Sequence, residues 1–252
     1  MNRKIIQCCA LLLLAVTAVK AQTVKIEDPN FKKALISQGV DLNGDGEIQV
    51  TEAQKVTRLY VEKRHIESLS GIKSFTNLEE FGFYNNELKE ADLQGMTKLK
   101  AVYGFSNQLE VLNLKGCTNL ETLYAAYNQL QRIDLGGLNR LKALQLHNNK
   151  LLGADVSGKP LLEECQLNDN ELYTFNAAGS TAIKVLRLDA NMLESLNVTH
   201  LKDLEELNVY KNRQLTSLKV AGLRKLKELN AYYCALNNLN LSGTVSLRVF
   251  SW

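Results

Sequence analysis

The 252-residue chain is poor in the groups that most often announce a function. It has only two prolines, Pro29 and Pro160, so no proline-rich linker divides it. Of five cysteines, Cys8 and Cys9 fall in an N-terminal leader. The other three, Cys117, Cys165 and Cys234, are odd in number and lack CxxC spacing, which reads as buried free thiols. The three histidines, His65, His147 and His200, are too scattered to suggest a metal site or a triad. No nucleophile elbow or phosphate loop occurs, and these absences together argue against an enzyme.

Excess charge is missing as well. Residues 1–21 carry a short basic start, MNRK, then an apolar run from Ile5, then small residues before a cut after Ala21. This is the pattern of a secretory signal peptide, with an apolar core too short for a good membrane span. Cys8 and Cys9 lie too early in it for lipid attachment, so the expectation is a soluble exported protein: cell-surface, secreted or periplasmic. The leader holds Arg3, Lys4 and Lys20 and no acid, so 30 basic and 27 acidic residues become 27 of each. With no net positive charge, nothing points to nucleic acid.

What the chain does have is self-similarity, which is the sign of a repeat architecture. Leu78, Phe81, Phe83, Asn86 and Leu88 set a frame that returns 21 residues later as Leu99, Val102, Gly104, Asn107 and Leu109. It recurs from Leu120, Leu141, Leu162, Ile183 and Leu204, slips by one residue after Asn212, and continues from Leu226 and Leu247. A looser copy with Leu59, Val61, Ile66 and Leu69 comes first, making about nine units with the last cut short. Within each unit two apolar residues flank one that points to the other side of a short strand. The asparagine sits where the chain turns, and its amide can satisfy backbone groups of neighbouring coils. Cys234 replaces it in one unit, so the asparagine ladder is expected to lapse there.

The pattern LxxLxLxxNxL over residues 57–252 resembles the leucine-rich repeat family. The second half of each unit, such as Asp92 to Gly95 and Asp134 to Gly137, has a short strand-like triplet and a glycine turn instead of a helix. Together with the 21-residue length, it is similar to the bacterial internalin J type. The resemblance implies an α/β solenoid: a right-handed horseshoe with a parallel concave β-sheet and a convex side of short strands and turns. It also implies adhesion or recognition of a protein on or outside a bacterial cell. Residues 247–252 start a strand without a polar capping repeat, which reads as a truncated product or as an end covered by a partner, truncation being the preferred reading.

Residues 22–56 look different and are expected to form a small helical N-terminal cap. Asp28 and Pro29 make a helix start, and Gly39 a stop. The next twelve residues, DLNGDGEIQVTE, fit the EF-hand template. Asp41, Asn43 and Asp45 take its first, third and fifth places, Gly46 the sixth, Glu47 offers a backbone carbonyl at the seventh, and Glu52 is the twelfth-position carboxylate. Hard oxygen donors in this order suit a structural Ca²⁺. A single hand without a visible partner should hold it weakly, with a dissociation constant on the order of 10⁻⁴ M.

The exposed strand residues gather the aromatics. Tyr84, Tyr103, Phe105, Tyr124 and Tyr127 fall in the early repeats, and Tyr210, Tyr232 and Tyr233 near the end. Gln145, His147, Gln166, Asn168, Arg187 and Asp189 lie between them. Tyrosine combines contact area with a polar tip, so this face is expected to bind a protein partner on a host or neighbouring cell. A glycan would also suit aromatic platforms beside amides, and a passive scaffold without a ligand is a third reading. Glu206 and Glu228 hold equivalent places on adjacent strands, but an open sheet offers no cleft in which paired carboxylates could act.

Overall fold

A computed structural model describes residues 22–252; the leader assigned to residues 1–21 lies outside them. The chain is a β-solenoid built on one ten-stranded parallel sheet. Its strands are Arg58–Tyr60, Glu80–Gly82, Ala101–Tyr103, Thr122–Tyr124, Ala143–Gln145, Glu164–Gln166, Val185–Arg187, Glu206–Asn208, Glu228–Asn230 and Val249–Ser251. The looser first copy and the short last one each contribute a strand, so there are ten strands where about nine units were expected. In-register pairing keeps every repeat column intact, including 206 with 228, where the extra residue after Asn212 is absorbed in the turn.

Each strand is short because its two inward residues are all that a coil must deliver to the core. Phe81 and Phe83, Leu144 and Leu146, and Leu186 and Leu188 are all fully buried. They join one hydrophobic cluster that continues from Val24 to Leu236. No unit buries its own stripe; only stacking does, which is why the repeats are stable together and not singly.

The asparagines tie the coils. Asn128 is typical: its Nδ2 donates to Gly104 O at 3.0 Å in the preceding coil and to Ala125 O at 3.1 Å in its own. Its Oδ1 accepts from Leu109 N at 2.9 Å. The same triangle recurs at Asn149, Asn170, Asn191 and Asn212. The residue just before each ladder position is left-handed: Asn85, Ser106, Tyr127, Asn148, Asp169, Ala190, Lys211 and Tyr233 have φ between 52° and 60°. Side chains dislike that region, and the bonds of the buried amide hold the turn in place. At Cys234 the ladder weakens instead of lapsing. The thiol donates to Val209 O at 3.1 Å, replacing the amide N–H, but no side-chain oxygen remains to accept.

The opposite side carries three two-stranded parallel sheets, Glu90–Asp92 with Val111–Asn113, Gly153–Asp155 with Thr174–Asn176, and Ser195–Asn197 with Ser217–Lys219. Gly95 at φ +79° shows why glycine recurs in these turns. At His200, where the column lacks glycine, the backbone is not left-handed and the ring Nε2 lies 3.2 Å from Ala177 O. One rim of the long sheet alternates in charge, strand by strand: Glu79, Lys100, Glu121, Lys142, Glu163, Lys184, Glu205, Lys227. They pair as Glu79 with Lys100, Glu121 with Lys142, Glu163 with Lys184, and Glu205 with Lys227.

The first helix, Pro29–Ser37, starts at Asp28 as expected and ends ahead of Gly39. It buries Phe31, Ala34 and Leu35 on the first coil. Asp28 is also the joint between helix and repeats. Its Oδ1 caps Asn30 N and Phe31 N, and its Oδ2 accepts from Glu67 N at 2.7 Å and Ser68 N at 3.0 Å. Burial pushes its carboxyl up, but the four N–H groups outweigh that and hold it below the usual range. Among the described residues no helix is long and apolar enough to cross a membrane.

Candidate functional site

Three columns of side chains line the outer face of the long sheet: the first and third residues of each strand and the residue two beyond. The aromatics expected there stand in contact. Tyr84 stacks on Phe105 with centroids 4.5 Å apart, and Tyr103 meets Tyr124 edge-on at 5.6 Å. Tyr127, more than half exposed at the left-handed exit, packs edge-on against His147 at 5.2 Å. At the far end Tyr210, Tyr232 and Tyr233 form a second cluster, with Tyr232 and Tyr233 at 4.3 Å.

Sequence reasoning missed Tyr60. Its ring lies across Gly82 and stacks with Tyr103 two strands away, with centroids 6.2 Å apart and planes 23° apart. A Cβ at position 82 would stand 2.4 Å from the Tyr60 ring, so glycine in this column is what permits the stack. Tyr60 donates its hydroxyl to Glu80 at 2.9 Å. Burial and that carboxylate push its pKa up to about 12, so the phenol stays neutral. The clue was there: Gly82 stands where the next two repeats have Tyr103 and Tyr124.

Between the clusters the face is polar and only partly satisfied. Arg187 grips Glu206 through Nε at 3.1 Å and a terminal nitrogen at 2.9 Å. Gln145 donates to Glu164 at 3.0 Å. His147 Nδ1 and Asp189 Oδ1 are buried without a hydrogen-bond partner among the described residues. Burial pushes the His147 pKa down and that of Asp189 up. Glu206 and Glu228 are direct register neighbours, but the Glu206 carboxylate is held by Arg187.

Solved structures share this architecture. The functional domain of InlJ from Listeria monocytogenes superposes with a TM-score of 0.60 at 20% identity, over 91% of this chain and 60% of that one. Internalin C2 from the same organism gives 0.61 at 16%, over 88% and 93%. YopM from Yersinia enterocolitica gives 0.61 at 21%, over 78% and 46%. The fold is the leucine-rich repeat. At these identities the likeness speaks for the fold alone, and the chain spans only three fifths of the InlJ structure. No family model and no curated protein sequence matches the chain. InlJ is described as including a cysteine ladder. In this leucine-rich repeat chain the ladder is of asparagine, and Cys117, Cys165 and Cys234 stand in three different columns.

The loop over residues 41–52 is held by its own donors. Asp41 accepts from Gly44 N at 2.7 Å and Gly46 N at 2.9 Å, Asn43 from Asp45 N and Asp45 from Glu47 N at 2.9 Å each. The Glu47 N–H, helped by the Gln49 and Asn43 amides, outweighs desolvation and holds the Asp45 carboxyl below its usual range. Glu52 accepts from Leu42 N and Asn43 N through one oxygen and from Gln49 N through the other, closing a capping box on the short helix Val50–Ala53. The Glu47 side chain pairs with Lys32 at 2.6 Å, which leaves its backbone carbonyl as the donor the template needs. The loop does not stand alone: Val24 N donates to Ile48 O at 2.7 Å and Val50 N to Gln22 O at 2.8 Å, so residues 22–24 pair with it. Among the described residues no three acidic, histidine or cysteine side chains converge as a metal cluster. The donor set fits calcium in kind, because most of these oxygens accept one N–H and keep a second lone pair.

Proposed function

We propose that this is an exported recognition protein that binds a protein partner through the outer face of its long sheet. The observation that carries this reading is the gathering of eight of the nine tyrosines on or beside that face, stacked in two groups with exposed rings. Rings already packed against one another lose little freedom when a partner covers them, which favours tight association. Replacing Tyr103, Phe105 and Tyr124 with alanine should abolish capture of the partner while the melting temperature stays within a few degrees. Capture by the triple variant equal to that by the parent would sink the proposal. A glycan is the second reading, favoured by the amides of Gln145, Gln166 and Asn168 beside the rings. A glycan array separates the two, and a passive scaffold would be silent in both assays.

The 41–52 loop, in this proposal, is a calcium-stabilised element of the cap that closes the N-terminal coil. Asp41, Asn43, Asp45 and Glu52 would hold the ion with their side chains and Glu47 with its carbonyl. The ion would supply positive charge beside the carboxylates of Asp41, Asp45 and Glu52.

A further inference from the structure

The face is charged out of proportion to the chain. Its three columns contain six carboxylates, Glu62, Glu80, Glu164, Asp189, Glu206 and Glu228, against two guanidiniums, Arg58 and Arg187. The described residues hold 27 groups of each sign, so everything else on the molecule has four more basic than acidic groups. Both guanidiniums are already engaged, Arg58 with Glu80 at 3.1 Å and Arg187 with Glu206 at 2.9 Å. Among the described residues Glu62, Glu164, Asp189 and Glu228 have no cation. The alternating Glu/Lys rim neutralises itself and leaves that imbalance standing.

Resting on the face-binding reading above, we propose that the partner presents a basic segment. Its lysine and arginine side chains lie over the tyrosine rings and pair with Glu62, Glu164, Asp189 and Glu228. Three observations converge on cations. Tyrosine faces attract ammonium and guanidinium groups, and the chain uses this mode itself, with Lys211 Nζ 5.3 Å from the centre of the Tyr210 ring. Glu62 neighbours Tyr84 and Glu164 neighbours Tyr124, so carboxylates without a cation border the aromatic patch. Asp189 Oδ1 is buried without a donor, a costly state that an incoming guanidinium would relieve with a charge-assisted bond. Two lysines, Lys63 and Lys211, and one acid, Asp169, stand at the strand exits and do not reverse the sign. Nine strand spacings of about 4.8 Å make the face about 43 Å long, which an extended segment of about thirteen residues crosses.

The test uses the full chain and three fluorescein-labelled twelve-residue peptides: one alternating lysine and arginine with glycine and serine, its glutamate counterpart, and a neutral serine–glutamine version. The basic peptide should bind, and weaken about tenfold or more between 50 and 300 mM salt, while the other two do not bind. E62Q/E164Q/E228Q, which spares half-buried Asp189, should weaken it about tenfold at unchanged melting temperature, and adding D189N should weaken it further. Equal binding of neutral and basic peptides, no binding of the basic one, or indifference to the carboxylate variants would overturn the proposal. So would glycan binding that survives those variants, or salt-sensitive self-association in place of peptide binding. If a captured partner is lost with Y103A/F105A/Y124A but unaffected by salt and E62Q/E164Q/E228Q, the face binds and only its basic preference fails. If neither variant alters capture, the face reading itself fails.

Discussion

Asn149 shows how one side chain can hold a turn that its neighbour resists. Asn148 is left-handed at φ 54°, and the Asn149 amide closes the turn with bonds to Ala125 O, Leu146 O and Leu130 N. Asn149→Ala would break all three and leave buried groups unpaired, so a loss of about 2–4 kcal/mol in urea unfolding is expected. This column was legible because seven asparagines share one register. The left-handed column before it was not, because its occupants, from Asn85 to Tyr233, have nothing chemical in common. Asp28 makes a second test. Its carboxyl is depressed in the folded state, so it stabilises above the unfolded value of about 3.9 and loses that as pH falls through the folded value. Asp28→Asn should cost about 1–3 kcal/mol at neutral pH and flatten the acid limb of the stability curve. His147 works in the other direction. With a folded pKa below about 6.5, protonation favours the unfolded chain, and stability falls as pH drops from 6.5 toward that lower value. His147→Gln should remove that slope, as read by melting temperature at pH 7 and pH 5.

At the scale of elements, the 41–52 loop and the Tyr60–Gly82–Tyr103 stack were legible to different depths. The sequence set residues 41–52 against a calcium-loop template, and in the structure Gly44 and Gly46 have left-handed backbones. Its pairing with residues 22–24 escaped because nothing in Gln22 to Val24 marks a strand. That pairing links the loop to the chain's first described residues, so ion binding should stiffen both together. Calcium at 1 mM should raise the melting temperature by a few degrees, chelation should reverse it, and Asp41→Ala with Glu52→Ala should abolish the response. Melting indifferent to calcium in the parent chain would reduce the loop to a polar turn. The aromatic stack was hidden because a propensity reading treats glycine as a gap. Here the gap is filled from the preceding strand by Tyr60.

For the whole molecule, the in-register stacking and the continuous core followed from a 21-residue period, since only stacking buries the stripe, while the strand count came out at ten and not about nine. The charge distribution did not follow, because the sign of a face emerges only when residues far apart in sequence are brought to one side. The alternating rim is a case in point. Its charge repeats every second coil, so the coils come as doublets, each with one glutamate and one lysine. Excising residues 120–140 would set Lys100 beside Lys142 and leave the latter without Glu121. Excising residues 120–161 would join Lys100 to Glu163 and keep every remaining couple. The longer deletion should therefore melt with less dependence on salt than the shorter one. The solenoid can grow or shrink without electrostatic mismatch only by even numbers of coils, so its reach changes in steps of about 10 Å.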